Sequence, residues 1–255
     1  MKDETRKILV ILLSLVALGC AAYLVWYYSN ASRTKESYDT AKEVAQVVPE
    51  EVTEEDSEEK VEIPIDFPAL QTVNPDVYAW IRIAGTNMDY PVVQNLYEDD
   101  FYLDHTWEGV YSEEGAIFSQ SYNSKAFTDF NTVLYGHRMG GGLETMFYQL
   151  RYYQDAEFMD GHREIIVYTP EHILTYKVFA AVVYDNRHLV LQFDASEESG
   201  RQEFLDSIWN SRDMRNQFRE DVEVTVDDRI LTLSTCIQGE SDHRLLIEAV
   251  LVDEK

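Results

Sequence analysis

The sequence predicts a mainly β fold: a closed or nearly closed barrel of about eight short strands with peripheral helices, preceded by a transmembrane helix and a stalk. The prediction rests on three observations. Beyond residue 64 the chain falls into short apolar or alternating runs of strand length, punctuated by Gly, Pro, Asn and Asp. A single stretch of clear helical spacing interrupts that rhythm, between Glu197 and Glu220. An uncharged apolar run, Ile8 to Tyr28, lies in front of all of it.

Composition narrows the class further. The 255 residues are 45% hydrophobic and 13% aromatic, ample for a packed core, and carry a net charge of −26. Such an acidic chain repels phosphates, so no nucleic-acid partner is expected, nor a broad basic surface for docking on membranes. The two cysteines, Cys20 and Cys236, do not form an expected internal disulfide, because Cys20 lies inside the apolar run.

Residues 1–7 read as a cytoplasmic tail carrying Lys2, Arg6 and Lys7. Residues 8–28 read as a membrane anchor, since a spanning helix needs about 20 apolar residues. Trp26, Tyr27 and Tyr28 sit where an interfacial aromatic belt belongs. A cleaved signal peptide is the competing reading, but the run is long and no A-x-A site ends it. A lipobox ending at Cys20 fits poorly, because Ala21 to Tyr28 stays apolar. The orientation expected is N-terminus inside, with Arg33 and Lys35 weakening the charge asymmetry. Residues 29–64 read as an acidic extracellular stalk. Within it, Thr34 to Val48 is predicted helical, with Tyr38, Ala41, Val44 and Ala45 on one face, and an acidic run from Glu50 to Glu59 follows.

The folded domain is expected over 65–255. Asp66 to Leu70 forms a lead-in. Strands are predicted over Val77–Ile83, Met88–Val93, Ala116–Ser119, Thr132–Gly136, Glu164–Thr169 and Ile173–Val183, the last two a hairpin around Pro170-Glu171. Pro91 would confine the second of these to an edge or a bulge. Leu143 to Tyr152 is predicted as a short helix with Leu143, Met146, Phe147 and Leu150 inward. In the helical stretch, Phe204, Leu205, Ile208 and Trp209 form an apolar stripe, and Ser199 with Gln202 resembles a capping box. This stretch is expected to pack on the barrel and to wall one side of a groove. Two final strands, Arg229–Thr235 and Leu245–Val252, flank Cys236 and Arg244.

Chemistry concentrates there. Cys236 ends one strand, and Arg244 opens the next, eight positions on. A thiol becomes a nucleophile when a base takes its proton or a cation stabilises the thiolate. Arginine keeps its charge in a dry site and presents a fork of donors suited to an oxyanion. Among six histidines, His137 follows the apolar strand ending in Gly136 and precedes Gly140-Gly141-Gly142, on a rim from which it can reach across a cleft. His243 is closer in sequence, but strand alternation turns it away if Arg244 faces the thiol. His162 and His172 sit near turns and read as solvated. Each candidate has a plain alternative: a small buried hydrophobe for Cys236, a structural ring for His137, a rim ion pair with Asp242 or Glu240 for Arg244. No CxxC, HExxH or calcium-loop pattern is present, and the glycine triplet lacks the Lys-Ser or Lys-Thr of a phosphate loop, so neither metal nor cofactor is predicted.

Leu233-Ser234-Thr235-Cys236 with Arg244 downstream resembles the signature of sortases, and Asn131 to His137 resembles that family's histidine strand. The likeness spans Ile65 to Lys255, and the helical insertion before the cysteine strand resembles class B. Arg138 stands where many class B relatives have Asn. The resemblance implies a cysteine transpeptidase of the Gram-positive cell surface. Cys236 would be nucleophile, His137 general acid and Arg244 ligand of the oxyanion and substrate backbone, with Ser234 and Thr235 lining the groove. The expected partners are a surface protein bearing a sorting signal, cleaved after threonine, and an amine of a peptidoglycan precursor or pilin. The rivals are an L,D-transpeptidase, whose Ser-His-Gly-Cys context is missing around Cys236, a thiol protease that passes the acyl group to water, and an anchored binding module with a buried thiol.

Overall fold

The computed structural model describes residues 3–46, 62–139 and 144–255. The acidic run, and Gly140 to Leu143, lie outside the described residues. Helix α1 (Asp3–Val44) is 42 residues long, about 60 Å at the usual rise per residue. Its apolar first half, Ile8 through Tyr28, is exposed apart from the partly covered Tyr27, and it is long and apolar enough to cross a membrane. Its last turns differ. Thr34, Tyr38 and Ala41 recur at helical spacing and are buried against the barrel, as is Ala45 just past the helix end. Part of the segment expected as stalk therefore packs on the folded body. Helix α2 (Phe67–Val73) follows; Asp66 Oδ1 accepts from the Ala69 amide at 2.9 Å, and Pro68 occupies the first turn, where a missing N–H costs nothing.

Strands β1 (Val77–Arg82) and β2 (Asp89–Val93) pair antiparallel; β3 (Ile117–Phe118) adds parallel to β2, and β4 (Asn131–Tyr135) pairs with β3. After a 3-10 helix over Phe147–Gln154 and helix α3 (Ala156–Gly161), β5 (Glu164–Tyr168) and β6 (Ile173–Asp185) form the expected hairpin. Helices α4 (Leu189–Gln192) and α5 (Glu198–Trp209) come next. The short β7 (Gln217–Phe218) lies on the outer edge of β6. Strands β8 (Ile230–Ile237) and β9 (Glu240–Glu254) complete the set. The order β5-β1-β2-β3-β4-β8-β9-β6 returns to β5 through the β5–β6 pairing, so eight strands close a ring and leave no edge among them.

Several expectations are corrected. Pro91 is not on an edge: β2 has neighbours on both sides, but β3 begins to pair only at Val92, so no ladder bond is asked of the proline nitrogen. The inward helix begins at Phe147 and is 3-10, with Phe147 and Leu150 buried. Helix α5 stops at Trp209, and Asn210 to Glu220 runs on as turns and β7. Glu197, not Ser199, takes its N-cap position, and no side chain bonds there, so the capping-box reading fails. Arg244 does not open its strand either. The β8–β9 turn is only Gln238-Gly239, and β9 is under way from Glu240.

Two apolar clusters result. One fills the barrel and extends under α1 and α2, with Trp80, Tyr176 and Ile247 fully buried. The other lies on the outer face of β4, β8, β9 and β6 beneath α5, where Phe204, Leu205 and Ile208 meet Val133, Phe179 and Leu246. The apolar stripe is packing, as the spacing predicts.

Candidate active site

Successive residues of a strand alternate faces. Ile230, Thr232, Ser234 and Cys236 therefore share the outer face of β8, and Arg244, Leu246, Glu248 and Val250 share that of β9. The register sets Cys236 directly opposite Arg244 and Ser234 opposite Leu246. Parallel pairing of β4 with β8 sets Tyr135 beside Ser234, so the chain leaving β4 delivers His137 to the same rim. Gly136 makes that exit possible: a Cβ there would lie 2.6 Å from Ile117 Cδ1 and 2.8 Å from the Phe147 ring.

A cleft of about 250 Å³ opens at this rim, lined by His137, Ser234, Thr235, Cys236 and Arg244 together with Leu103, Gln120 and the segment Asp185 to Leu189. Every site residue the sequence singles out borders it. Its side wall differs from expectation: the turn Asp185 to Leu189 builds it, and α5 lies behind, under the sheet face. A second, smaller cavity of about 180 Å³ meets the thiol, bounded by Arg138, Tyr148 and Gln238.

Each side chain has a definite setting. Cys236 is exposed, which removes the buried-hydrophobe reading. The His137 Nε2–H donates to the Leu103 carbonyl at 2.7 Å, which leaves Nδ1 as the free nitrogen of the neutral ring. The Phe147 amide donates to the His137 carbonyl at 2.9 Å and fixes the backbone below it. No hydrogen bond joins Sγ to the imidazole among the described residues. Arg244 Nη1 donates to the carbonyls of Ser241 and His243 at 3.0 and 2.9 Å, and the guanidinium makes no ion pair among the described residues. The carboxylates once set against it are engaged elsewhere. Glu240 is held by Arg215 at 2.7 Å, and Asp242 lies 3.6 Å from His243 Nδ1. Arg215 also grips Asp213 at 2.8 Å; its hydrogen bonds hold the Asp213 carboxyl down to about 2 and keep Glu240 below its ordinary value.

His243 turns to the opposite side, bordering a separate polar hollow with Asp213 and Ser211, as alternation requires. His172 is exposed, whereas His162 is half-buried with its ring stacked 3.9 Å from that of Phe158. Ser234 and Thr235 are almost wholly buried, at 6% and 2% exposure. The Thr235 hydroxyl donates to the Gly136 carbonyl at 2.8 Å, which ties β8 to the segment carrying His137. Sequence reasoning missed the Leu103 carbonyl and the Asp185–Leu189 wall, because both depend on loops whose path no periodicity reveals. It also missed Glu248, whose signal was available: a lone acid inside the apolar run Leu245 to Val252.

Comparison with known proteins identifies the family. A family model for the sortase domain matches residues 81–252. Sortase B of Staphylococcus aureus is 31% identical over 188 residues, covering 73% of this chain and 74% of that protein. The crystal structure of sortase B from Bacillus anthracis in complex with AAEK1 superposes with a TM-score of 0.74 at 28% identity, covering 89% of this chain and 99% of that one. A Staphylococcus aureus sortase B–substrate complex superposes at 0.64 with 31% identity, covering 73% and 84%. With the barrel, the strand register and these likenesses in agreement, the chain belongs to the sortase family of cysteine transpeptidases, among its class B members.

Proposed function

We propose that this protein is a membrane-anchored transpeptidase that cleaves a C-terminal sorting signal after threonine and joins the new acyl end to a cell-wall or pilin amine. Cys236 is the nucleophile. Its thiol passes its proton to His137 Nδ1, and the resulting thiolate attacks the threonine carbonyl; the oxyanion that forms meets the donors of Arg244 that no carboxylate occupies. His137 gives its Nδ1 proton to the departing amine, the C–N bond breaks, and a thioester remains on Cys236. The incoming amine then attacks the thioester, His137 takes its proton, and the thiolate leaves. Ser234 and Thr235 shape the groove at the scissile residue, Thr235 chiefly through its hold on Gly136.

The observation that carries this reading is the convergence of Cys236, His137 and Arg244 on one open cleft. A second cavity at the same sulfur supports two substrates, with room for an amine on the side away from the acyl chain. The exposed apolar half of α1 supports a single-pass anchor, which would place the N-terminus in the cytoplasm and the barrel outside, among wall amines. The test is mass analysis of a sorting peptide incubated with the protein, with and without an added amine. Wild type should yield the amide product when amine is present, and Cys236→Ala should yield none. Full activity in Cys236→Ala would refute the mechanism, and hydrolysis alone, whatever amine is supplied, would leave a thiol protease.

A further inference from the structure

We infer that Tyr38, on the N-terminal helix, is a positioning residue for His137, acting through the backbone of Gly115 and the carbonyl of Leu103. The inference rests on the reading of His137 as the proton-transfer group.

The only polar partner of the His137 ring among the described residues is the Leu103 carbonyl. What aims that carbonyl therefore aims the imidazole and sets which nitrogen is free. Leu103 ends a 3-10 turn, Phe101–Leu103, at the head of a loop that returns at Ala116, where the Ala116 amide donates to the Tyr102 carbonyl at 2.9 Å. Inside this loop Gly115 lies directly against Leu103. Its φ is +59°, and a Cβ built on it would stand 2.5 Å from the Leu103 oxygen and 2.7 Å from that of Tyr102. Two backbones in such contact move together, because no side chain intervenes to absorb a shift.

Gly115 is in turn held by the helix. The buried Tyr38 hydroxyl donates to the Gly115 carbonyl at 2.7 Å, and its ring stands edge-on to Tyr90 at 5.3 Å. Neighbouring contacts seat the same arm of the loop. The hydroxyls of Thr34 and Ser112 meet at 2.8 Å, Trp107 Nε1 donates to the Ser37 carbonyl at 3.1 Å, and the Ser37 hydroxyl donates to Glu108. The other arm is fixed to the barrel, where the Tyr102 hydroxyl donates to Asp76 at 2.8 Å. Leu103 thus sits in a clamp with one jaw on the barrel and the other on α1. Of the contacts on the α1 jaw, the Tyr38 bond is the one made to the residue touching Leu103.

The test uses the full-length chain in detergent micelles with ring-labelled histidine. Two substitutions are compared with wild type: Tyr38→Phe, which removes one hydroxyl and keeps the ring, and Ser37→Ala, which breaks a helix–loop contact off the Gly115 path. Tyr38→Phe should move the His137 ring signals from the Nε2–H form toward a tautomer mixture. It should also lower kcat for a sorting peptide about three- to tenfold, as expected for one net hydrogen bond, with KM within twofold. Ser37→Ala should leave ring signals and kcat at wild-type values, whatever it does to the melting temperature. Unchanged ring signals in Tyr38→Phe, or equal changes in both variants, would overturn the inference. If wild type cleaves no sorting peptide, the functional reading falls, and the ring signals alone decide this one.

Discussion

Strands β8 and β9 carry two cross-strand pairs on one face in opposite surroundings. Cys236 faces Arg244 at the rim, and two pairings further in Thr232 faces Glu248. The pairs are about 13 Å apart along the strand, at roughly 3.3 Å per residue. At the rim the thiol is exposed and the guanidinium keeps two backbone carbonyls for company. Further in, Glu248 has no exposure at all. Thr232 Oγ1 donates to its Oε2 at 2.7 Å, Oε1 has no partner among the described residues, and burial pushes the carboxyl up to about 8. The same alternation delivers both charged residue types to the same face. Depth decides the rest: an arginine at the water line remains a working charge, while a carboxyl under α5 is kept neutral.

The largest effect should come from breaking the rim pair while keeping its charge. Arg244→Lys replaces a planar fork by a point charge on a flexible stem. If the guanidinium holds the oxyanion, kcat/KM for a sorting peptide should fall by a factor of about 100, the usual cost of losing a transition-state donor. Turnover near wild type would reduce Arg244 to a structural residue. A smaller effect should follow from releasing its neighbour. Arg215 bridges Asp213 and Glu240, and so holds the Glu240 carboxylate on the His243 side of the hairpin. Arg215→Met should free Glu240 to compete for the guanidinium and lower kcat about three- to tenfold at low salt. Because the competing pair is solvent-exposed, the deficit should shrink as ionic strength rises. A deficit independent of salt would mean that Arg215 acts through the fold of the hairpin alone.

The rim was the legible part of this molecule. Cys236 and His137 follow apolar runs, and Arg244 precedes one, with ends marked in the sequence, and the closed eight-strand barrel follows from counting those runs. Where local pattern and tertiary context diverge, the reading slipped. Pro91 looked like an edge or bulge residue because sequence does not say that β3 starts one residue later. Arg244 looked like a strand opener because Glu240 to His243 are polar, yet β9 starts at Glu240, opposite Ile237, and an irregularity over Ser241 to His243 separates that pair from the Cys236–Arg244 pair. The Leu103 carbonyl carries no side-chain signature at all, so no inspection of residue types would have found the group that holds His137.

The inner pair supplies the mildest and sharpest contrast. In the unfolded chain the Glu248 carboxyl titrates near its ordinary 4.5, and in the folded protein near 8. Below about pH 4.5 both states hold the proton, and glutamine in its place offers nothing. Between those values the unfolded state sheds a proton that the folded state keeps, so the wild type loses stability as pH rises. Glutamine has no proton to shed. Glu248→Gln should therefore match wild type in thermal unfolding near pH 4 and gain progressively up to about pH 8, by roughly 2–4 kcal/mol at the top of that range. All other carboxylates titrate alike in the two proteins, so the difference between the two curves isolates this one residue. A difference that stays flat across the range would mean that water reaches Glu248, and that the contrast between the ends of this strand pair is one of packing rather than of charge.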